Sequence, residues 1–107
     1  MVKLKLSTDF SNCPMGRYIT DGPYSGEYFR DFFFYPKYKE ASDKKEKLEI
    51  NFDDCYGINP VFLEEIFGGM VRKYKKFNLR NIIIISNDDE TIHRRIKEFV
   101  KKASASL

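Results

Sequence analysis

The run "NIIIIS", Asn81 to Ser86, limits how this chain can fold more than any other stretch. Four consecutive isoleucines are stiff in a helix and pack well on a pleated surface, so the run is a strand. It does not alternate with polar residues, which predicts an interior strand covered on both faces. Such cover calls for helical layers, and amphipathic segments lie on either side of the run. The class that follows is α/β.

The rest of the chain supplies the partners. "KLKLS" and "KLEINF" alternate charged and apolar residues, the period of half-buried strands, and "RYIT" reads as a further short strand. Gly22-Pro23 breaks the chain, and Ser25 is placed to cap a helix starting at Gly26 or Glu27. In "EYFRDFFFYPKYKEA" the helical period puts Phe29, Phe32 and Phe33 on one face, with Pro36 kinking the helix or ending its first half. Asn59 is the N-cap and Pro60 the first residue of the next helix, whose apolar face is Leu63, Ile66, Phe67, Met70, Tyr74 and Phe77. Arg72, Lys73, Lys75 and Lys76 suit its C-terminal end. Asn87 and Glu90 have the spacing of a capping box before a last helix built on Ile92, Ile96, Phe99 and Val100. The expected order is β-β-α-β-α-β-α: one domain over residues 1–103, a mixed four-stranded sheet with about three flanking helices, and a frayed tail at 104–107.

Composition excludes several functions. With 42% hydrophobic residues, including ten Phe and seven Tyr, the 107-residue chain can fill one core, so its 33% charged residues belong on the surface. Nineteen basic against sixteen acidic residues leave a net charge of +3, too even for a strong nucleic-acid or membrane signal. Cys13 and Cys55 form no CxxC pair and there is a single His, His93, so zinc lacks soft ligands and the thiols are expected reduced. No signal-peptide pattern and no membrane-length apolar run is present, which predicts a cytoplasmic protein with no membrane attachment.

"DDCYGINPVFLEEIFGGM", Asp53 to Met70, is the stretch where chemistry could reside. Asp53-Asp54 at a strand end invites a receiver-like phosphoryl acceptor, but that chemistry needs converging acids and a Lys or Thr at another strand end. No Lys directly follows "NIIIIS", and Asp88, Asp89 and Glu90 suit a helix N-terminus better. Gly68-Gly69 lacks the GxxxxGK[ST] spacing of a phosphate loop. Inside a helix each glycine costs about 1 kcal/mol relative to alanine, a cost offset by close packing within the domain or against a partner. His93 has no triad partner and reads as an exposed helix residue. The basic groups after Met70 and in "HRRIKEFVKK" read as a solvated face, with nucleic-acid binding through these helix ends as an alternative. No catalytic, metal or cofactor residue is assigned.

Two blocks, "DGPYSGEYFRDFFFYPKYKE" and "YGINPVFLEEIFGGMVRK", resemble the bacterial STAS-like domain of unknown function. Its pattern runs DGPYSGEEFR and later FLEE-x-FGG. Asp21, Gly22, Pro23, Tyr24, Ser25, Gly26, Phe29, Arg30 and Pro36 match the first part, and Phe62, Leu63, Glu64, Glu65, Phe67, Gly68 and Gly69 the second. That family is similar to STAS domains, the fold of anti-sigma factor antagonists and sulphate-transporter tails. The resemblance implies a non-enzymatic switch whose loop-to-helix corner docks a histidine-kinase-like ATPase. The corner corresponds to Gly57-Ile58-Asn59-Pro60-Val61, and the Gly-Ser-Ser common in the family is missing from it. No hydroxyl lies between Gly57 and Leu63 for a phosphoswitch.

The expected function is therefore a cytoplasmic regulatory or adaptor domain that needs no cofactor. Its partner surface is expected at Tyr56, Gly57, Ile58, Asn59, Val61, Glu64 and Glu65, with both glutamates turned outward. Asp21, Gly22, Pro23, Ser25, Gly26, Gly68 and Gly69 are expected to be structural. A homodimer is compatible with these features.

Overall fold

In the computed structural model, which describes residues 1–107, side-chain parity decides how the sheet is built. Strands β1 (Val2–Lys5), β2 (Leu48–Asn51) and β3 (Ile82–Ile85) are all parallel, in the order β1-β2-β3. Register pairs Val2 with Leu48 and Leu48 with Ile82, so Val2, Leu4, Leu48, Ile50 and Ile82 share the buried face. Lys3, Lys5, Glu49, Asn51, Ile83 and Ile85 share the other, and none of them is buried. With this strand order, right-handed crossovers place both connections on one side. The result is two layers, helices over one sheet face.

The sheet thus has three parallel strands and not a mixed four. The expected strand at "RYIT" is absent, because Asp21 folds that segment back on itself. Its carboxylate accepts from the amides of Arg17 (3.1 Å) and Tyr18 (2.8 Å), and Ile19–Asp21 forms a 3-10 turn. Nor is "NIIIIS" an interior strand. β3 lies at the sheet edge with one face uncovered, and the interior position goes to β2. Alternation in β1 and β2 had already left one sheet face polar, and β3 shares that face.

Five α-helices accompany the sheet: α1 (Leu6–Asp9), α2 (Gly26–Phe29), α3 (Tyr35–Asp43), α4 (Pro60–Lys73) and α5 (Thr91–Ala105). Between α2 and α3, Arg30–Phe34 forms a π-helical turn in which the Tyr35 amide bonds the Arg30 carbonyl. The wide turn comes just before Pro36, whose ring and missing N–H would disturb a regular turn there. It also moves the apolar stripe. Phe29 and Phe34 are fully buried, whereas Phe32 is 60% exposed.

Helix α4 carries the centre of a core of 17 buried residues, with Phe62, Leu63, Ile66, Phe67 and Met70 all sealed from solvent. Asn59 caps it, its Oδ1 accepting from the Val61 amide at 2.8 Å, with Pro60 in the first turn as expected. Ser25 likewise caps α2 through the Tyr28 amide. The start of α5 differs from expectation: Asp89, and not Asn87, accepts from the Thr91 amide and hydroxyl. Its end differs too, since α5 runs through Ser104 and Ala105, two of the residues expected in the tail.

Candidate functional site

The corner after β2 is fixed by side chains that bind backbone. Asn51 Oδ1 accepts from the Asp53 amide at 2.8 Å and starts the turn. Asp53 then reaches across to the loop after β3, accepting from the amides of Asn87 (2.7 Å) and Asp88 (2.9 Å) and from Asn87 Nδ2 (2.9 Å). These bonds, the Asp88 amide foremost, hold Asp53 below its usual pKa. Asp54 adopts φ +66°, donates its amide to Asp88, and pairs with Lys5 Nζ at 2.7 Å. The acidic residues therefore tie the C-terminal ends of all three strands together. Asp53, the better placed candidate acceptor, has its carboxylate committed to the neighbouring loop. No group of three or more His, Cys, Asp or Glu side chains is arranged to hold a metal ion.

Beyond this tie the corner turns apolar. Tyr56 is anchored through its backbone, donating to the Asn12 carbonyl at 2.8 Å, while the residue is 86% exposed. Ile58 is half-buried against the core, and Gly57, Asn59 and Val61 are exposed. A shallow groove of about 350 Å³ runs between this corner and Cys13-Pro14-Met15, with Met15 65% exposed. Sequence reasoning missed Met15 and Pro14, because no local pattern marks a contact across forty residues of chain. Cys55 lies beside the groove. Burial, reinforced by Asp54, Asp53 and Asp88, pushes its thiol up to about 11, which makes it a poor nucleophile.

Glu64 and Glu65 do not face outward as expected. Glu65 is buried, and its carboxylate is held by Arg30 Nη1 on one oxygen and by Arg17 Nη1 (2.9 Å) on the other. Glu64, half-buried, accepts from Arg17 Nη1 (2.7 Å) and from Arg72 Nη1 and Nη2 (2.8 and 3.0 Å). Arg72 chiefly, with Arg17, holds the Glu64 carboxyl below its ordinary pKa. The chain of charges continues through Arg30 to Asp31 (2.9 Å), and from Asp31 to Lys73 Nζ (2.8 Å) and Tyr74 Oη (3.0 Å). Helical parity led the two glutamates to be read as outward, but partners from two other segments cover that side of α4.

The glycines exist to let this clamp close. A Cβ on Gly26 would sit 2.9 Å from both the Phe62 carbonyl and Glu65 Cβ, so α2 could no longer lie on α4. A Cβ on Gly69 would strike Arg30 and one on Gly68 would strike Glu64, where the guanidinium and carboxylate cross the helix. Close packing within the domain thus accounts for Gly69, whereas at Gly68 only the mobile ends of Glu64 and Arg72 would have to give way. The two sequence blocks meet face to face: Gly26 and Arg30 of one lie against Phe62, Glu65 and Gly69 of the other. Residues 25–93 match the family model described as the STAS-like domain of unknown function, DUF4325.

The chain belongs to that STAS-like family. No curated protein and no solved structure matched it. The matched span runs from the α2 cap into α5, so it includes the corner and all of the clamp except Arg17. In this STAS-like domain the family pattern is first a packing device. Asp21 and Ser25 accept from backbone amides, and Gly26 and Gly69 lie where a Cβ would meet the clamp. Gly22 and Pro23, with Tyr24, wall a second, larger groove of about 670 Å³ over Phe10 and Phe33. The remaining candidates stay apart from both grooves. His93 is exposed on α5, and Tyr74 is stacked on Tyr35 at 3.7 Å, unavailable to a nucleobase.

The clamp sets an acid limit on stability. Burial raises the Asp31 carboxyl, but bonds from Arg30, Lys73 and Tyr74 outweigh it and leave the pKa at about 2, against 3.8 for a free side chain. A depressed carboxylate contributes stability that is complete above its unfolded pKa and lost as pH falls towards the folded one. Asp31 is therefore expected to contribute about 2 kcal/mol at neutral pH, lost between roughly pH 4 and 2. Urea midpoints measured across that range should fall for the natural chain and fall less for Asp31→Asn. Equal slopes would remove Asp31 from the acid response.

Proposed function

We propose that this STAS-like domain is a non-catalytic regulatory or adaptor module that docks a protein partner through the corner Tyr56–Val61 together with Met15. The observation that carries the reading is the contrast within the corner. Asp53 and Asn59 are turned onto backbone amides and Asp54 is paired with Lys5, while Tyr56, Met15 and Val61, at 86%, 65% and 45% exposure, are presented to solvent on a well-braced turn. Exposed aromatic and methionine side chains beside a groove are the composition of interface anchors. By analogy with STAS switches, the partner class is a histidine-kinase-like ATPase. The partner would be engaged without phosphorylation of the corner, since Gly57-Ile58-Asn59-Pro60-Val61 offers no hydroxyl.

Glu64 and Glu65 take no direct part in this surface; they hold α4, which carries Val61, in place. Tyr56→Ala combined with Val61→Asp is expected to change stability by less than about 1 kcal/mol, because neither side chain is buried. The same variant should lose most capture of the partner ATPase in a pull-down from the native cell. A photo-crosslinking residue at Tyr56 should label that ATPase, and one at exposed Ser42 should not. Undiminished capture by the double variant would place the docking surface elsewhere.

A further inference from the structure

The two edges of the sheet are unequal. The β1 edge carries Lys3 and Lys5, charged side chains of the kind that keep an open edge from pairing. The β3 edge is Ile82-Ile83-Ile84-Ile85, with no charge, proline or bulge, and Ile83, Ile84 and Ile85 are only half-buried. The Ile82 amide closes the preceding turn onto the Leu79 carbonyl, whereas the Ile84 amide and carbonyl face outward and are free to continue the ladder. The flanks of the strand differ in sign. Exposed Lys75, Lys76 and Arg80 precede it, and Asp88, Asp89 and Glu90 follow it.

We propose that β3 pairs antiparallel with β3 of a second copy of this chain, joining two three-stranded sheets into one. This goes beyond the docking corner, which lies at another part of the molecule and is not needed for the pairing. The charge pattern selects the arrangement. Antiparallel self-pairing sets the basic approach of each strand against the acidic exit of the other, at both ends of the contact. Parallel pairing would set like against like. Pairing β3 to a β1 edge would lay lysines along the isoleucines and run on as an open filament, whereas a twofold contact closes. With the twofold axis at Ile84, Ile83 meets the partner's Ile85 on the uncovered face and Arg80 lies level with the partner's Asp88. That register keeps both helical layers on the same side of the joined sheet, and it leaves only the lysine-bearing β1 edges exposed.

Sedimentation equilibrium of the full chain at submillimolar concentration should give a dimer mass, and added salt should weaken the association. Ile83→Lys with Ile85→Lys, both on the uncovered face, should retain the far-ultraviolet spectrum and the thermal transition yet sediment as a monomer. Arg80→Glu should weaken the dimer, and adding Asp88→Lys to the same chain should restore it, because the exchanged charges again meet across the axis. As Asp88 also accepts from the Asp54 amide, hydrogen exchange on the unaltered chain provides a second measure: protection of β3 amides should rise with protein concentration. A monomer throughout, a dimer indifferent to the two lysines, or β3 amides whose exchange ignores concentration would overturn the proposal. The Ile83→Lys, Ile85→Lys variant leaves the side chains that brace Tyr56 in place, so its sedimentation and its partner capture let each reading fail alone.

Discussion

Replacing Glu65 by alanine is expected to destabilise the domain by about 3–5 kcal/mol. Glu65 is 6% exposed and Arg30 5%, so removing the carboxylate strips a buried guanidinium of one partner with little water to replace it. Asp31 still holds the other side of Arg30, which argues for the lower part of that range. A domain of this size has about 5–15 kcal/mol in total, so the variant should unfold at a much lower temperature or be partly unfolded at 37 °C, roughly body temperature. Arg17→Ala should cost less, since Arg17 is more exposed and Arg30 continues to serve Glu65. The decisive comparison is a double variant, Arg30→Met with Glu65→Leu. Apolar replacement of both members removes the desolvation cost along with the attraction, so the double should be more stable than Glu65→Ala alone. Denaturant titration of the three variants measures this directly. A Glu65→Ala loss under about 1 kcal/mol would show that the clamp does not hold α2 to α4.

Phe34→Ala is expected to cost about 3–5 kcal/mol, while Phe32→Ala should stay within about 0.5 kcal/mol. An ordinary helical count from Phe29 makes the opposite forecast for these two residues, since i and i+3 share a face and i+5 does not. The π turn over Arg30–Phe34 inverts it. Phe34 is fully buried against Phe67 and Phe77, with ring centroids 5.2 and 5.9 Å away. Phe32 is mostly exposed and stacks only on the partly exposed Tyr28 at 4.8 Å. Chemical denaturation of the two alanine variants separates the alternatives. Equal losses, or a larger loss at Phe32, would mean that the segment folds as a regular helix in solution.

The acidic pair at Asp53-Asp54 shows how a strand-end carboxylate can be committed before any ligand arrives. Asp53 receives three hydrogen bonds from the loop after β3, and Asp54 an ion pair from the end of β1. In an open parallel sheet the C-terminal strand ends are where ligands usually bind. Here that region is laced shut, and the apolar surface beside it becomes the part available for contact. The same displacement occurs at Glu64 and Glu65, whose charge serves the interior contact of α4.

What could be read from the sequence alone was local. Parity in "KLKLS" and "KLEINF" identified two strands and their buried residues. Ser25 and Asn59 marked the helix caps and Pro60 the first residue of α4, because caps satisfy backbone groups within one turn. The DGPYSG and FLEE-x-FGG blocks pointed to the family, and they proved to be the two halves of one contact. Tertiary structure decided everything that depended on a partner distant in sequence. It turned Glu65 inward because arginines from positions 17 and 30 arrive there, and it put β3 at an edge because β3 pairs with β2 on one side only. It moved the helical stripe from Phe32 to Phe34 through a single wide turn. Side-chain periodicity records which face of an element is apolar, whereas the neighbour that covers the face is set by chain closure over tens of residues. A charged residue therefore reads as exposed until its counter-charge is placed.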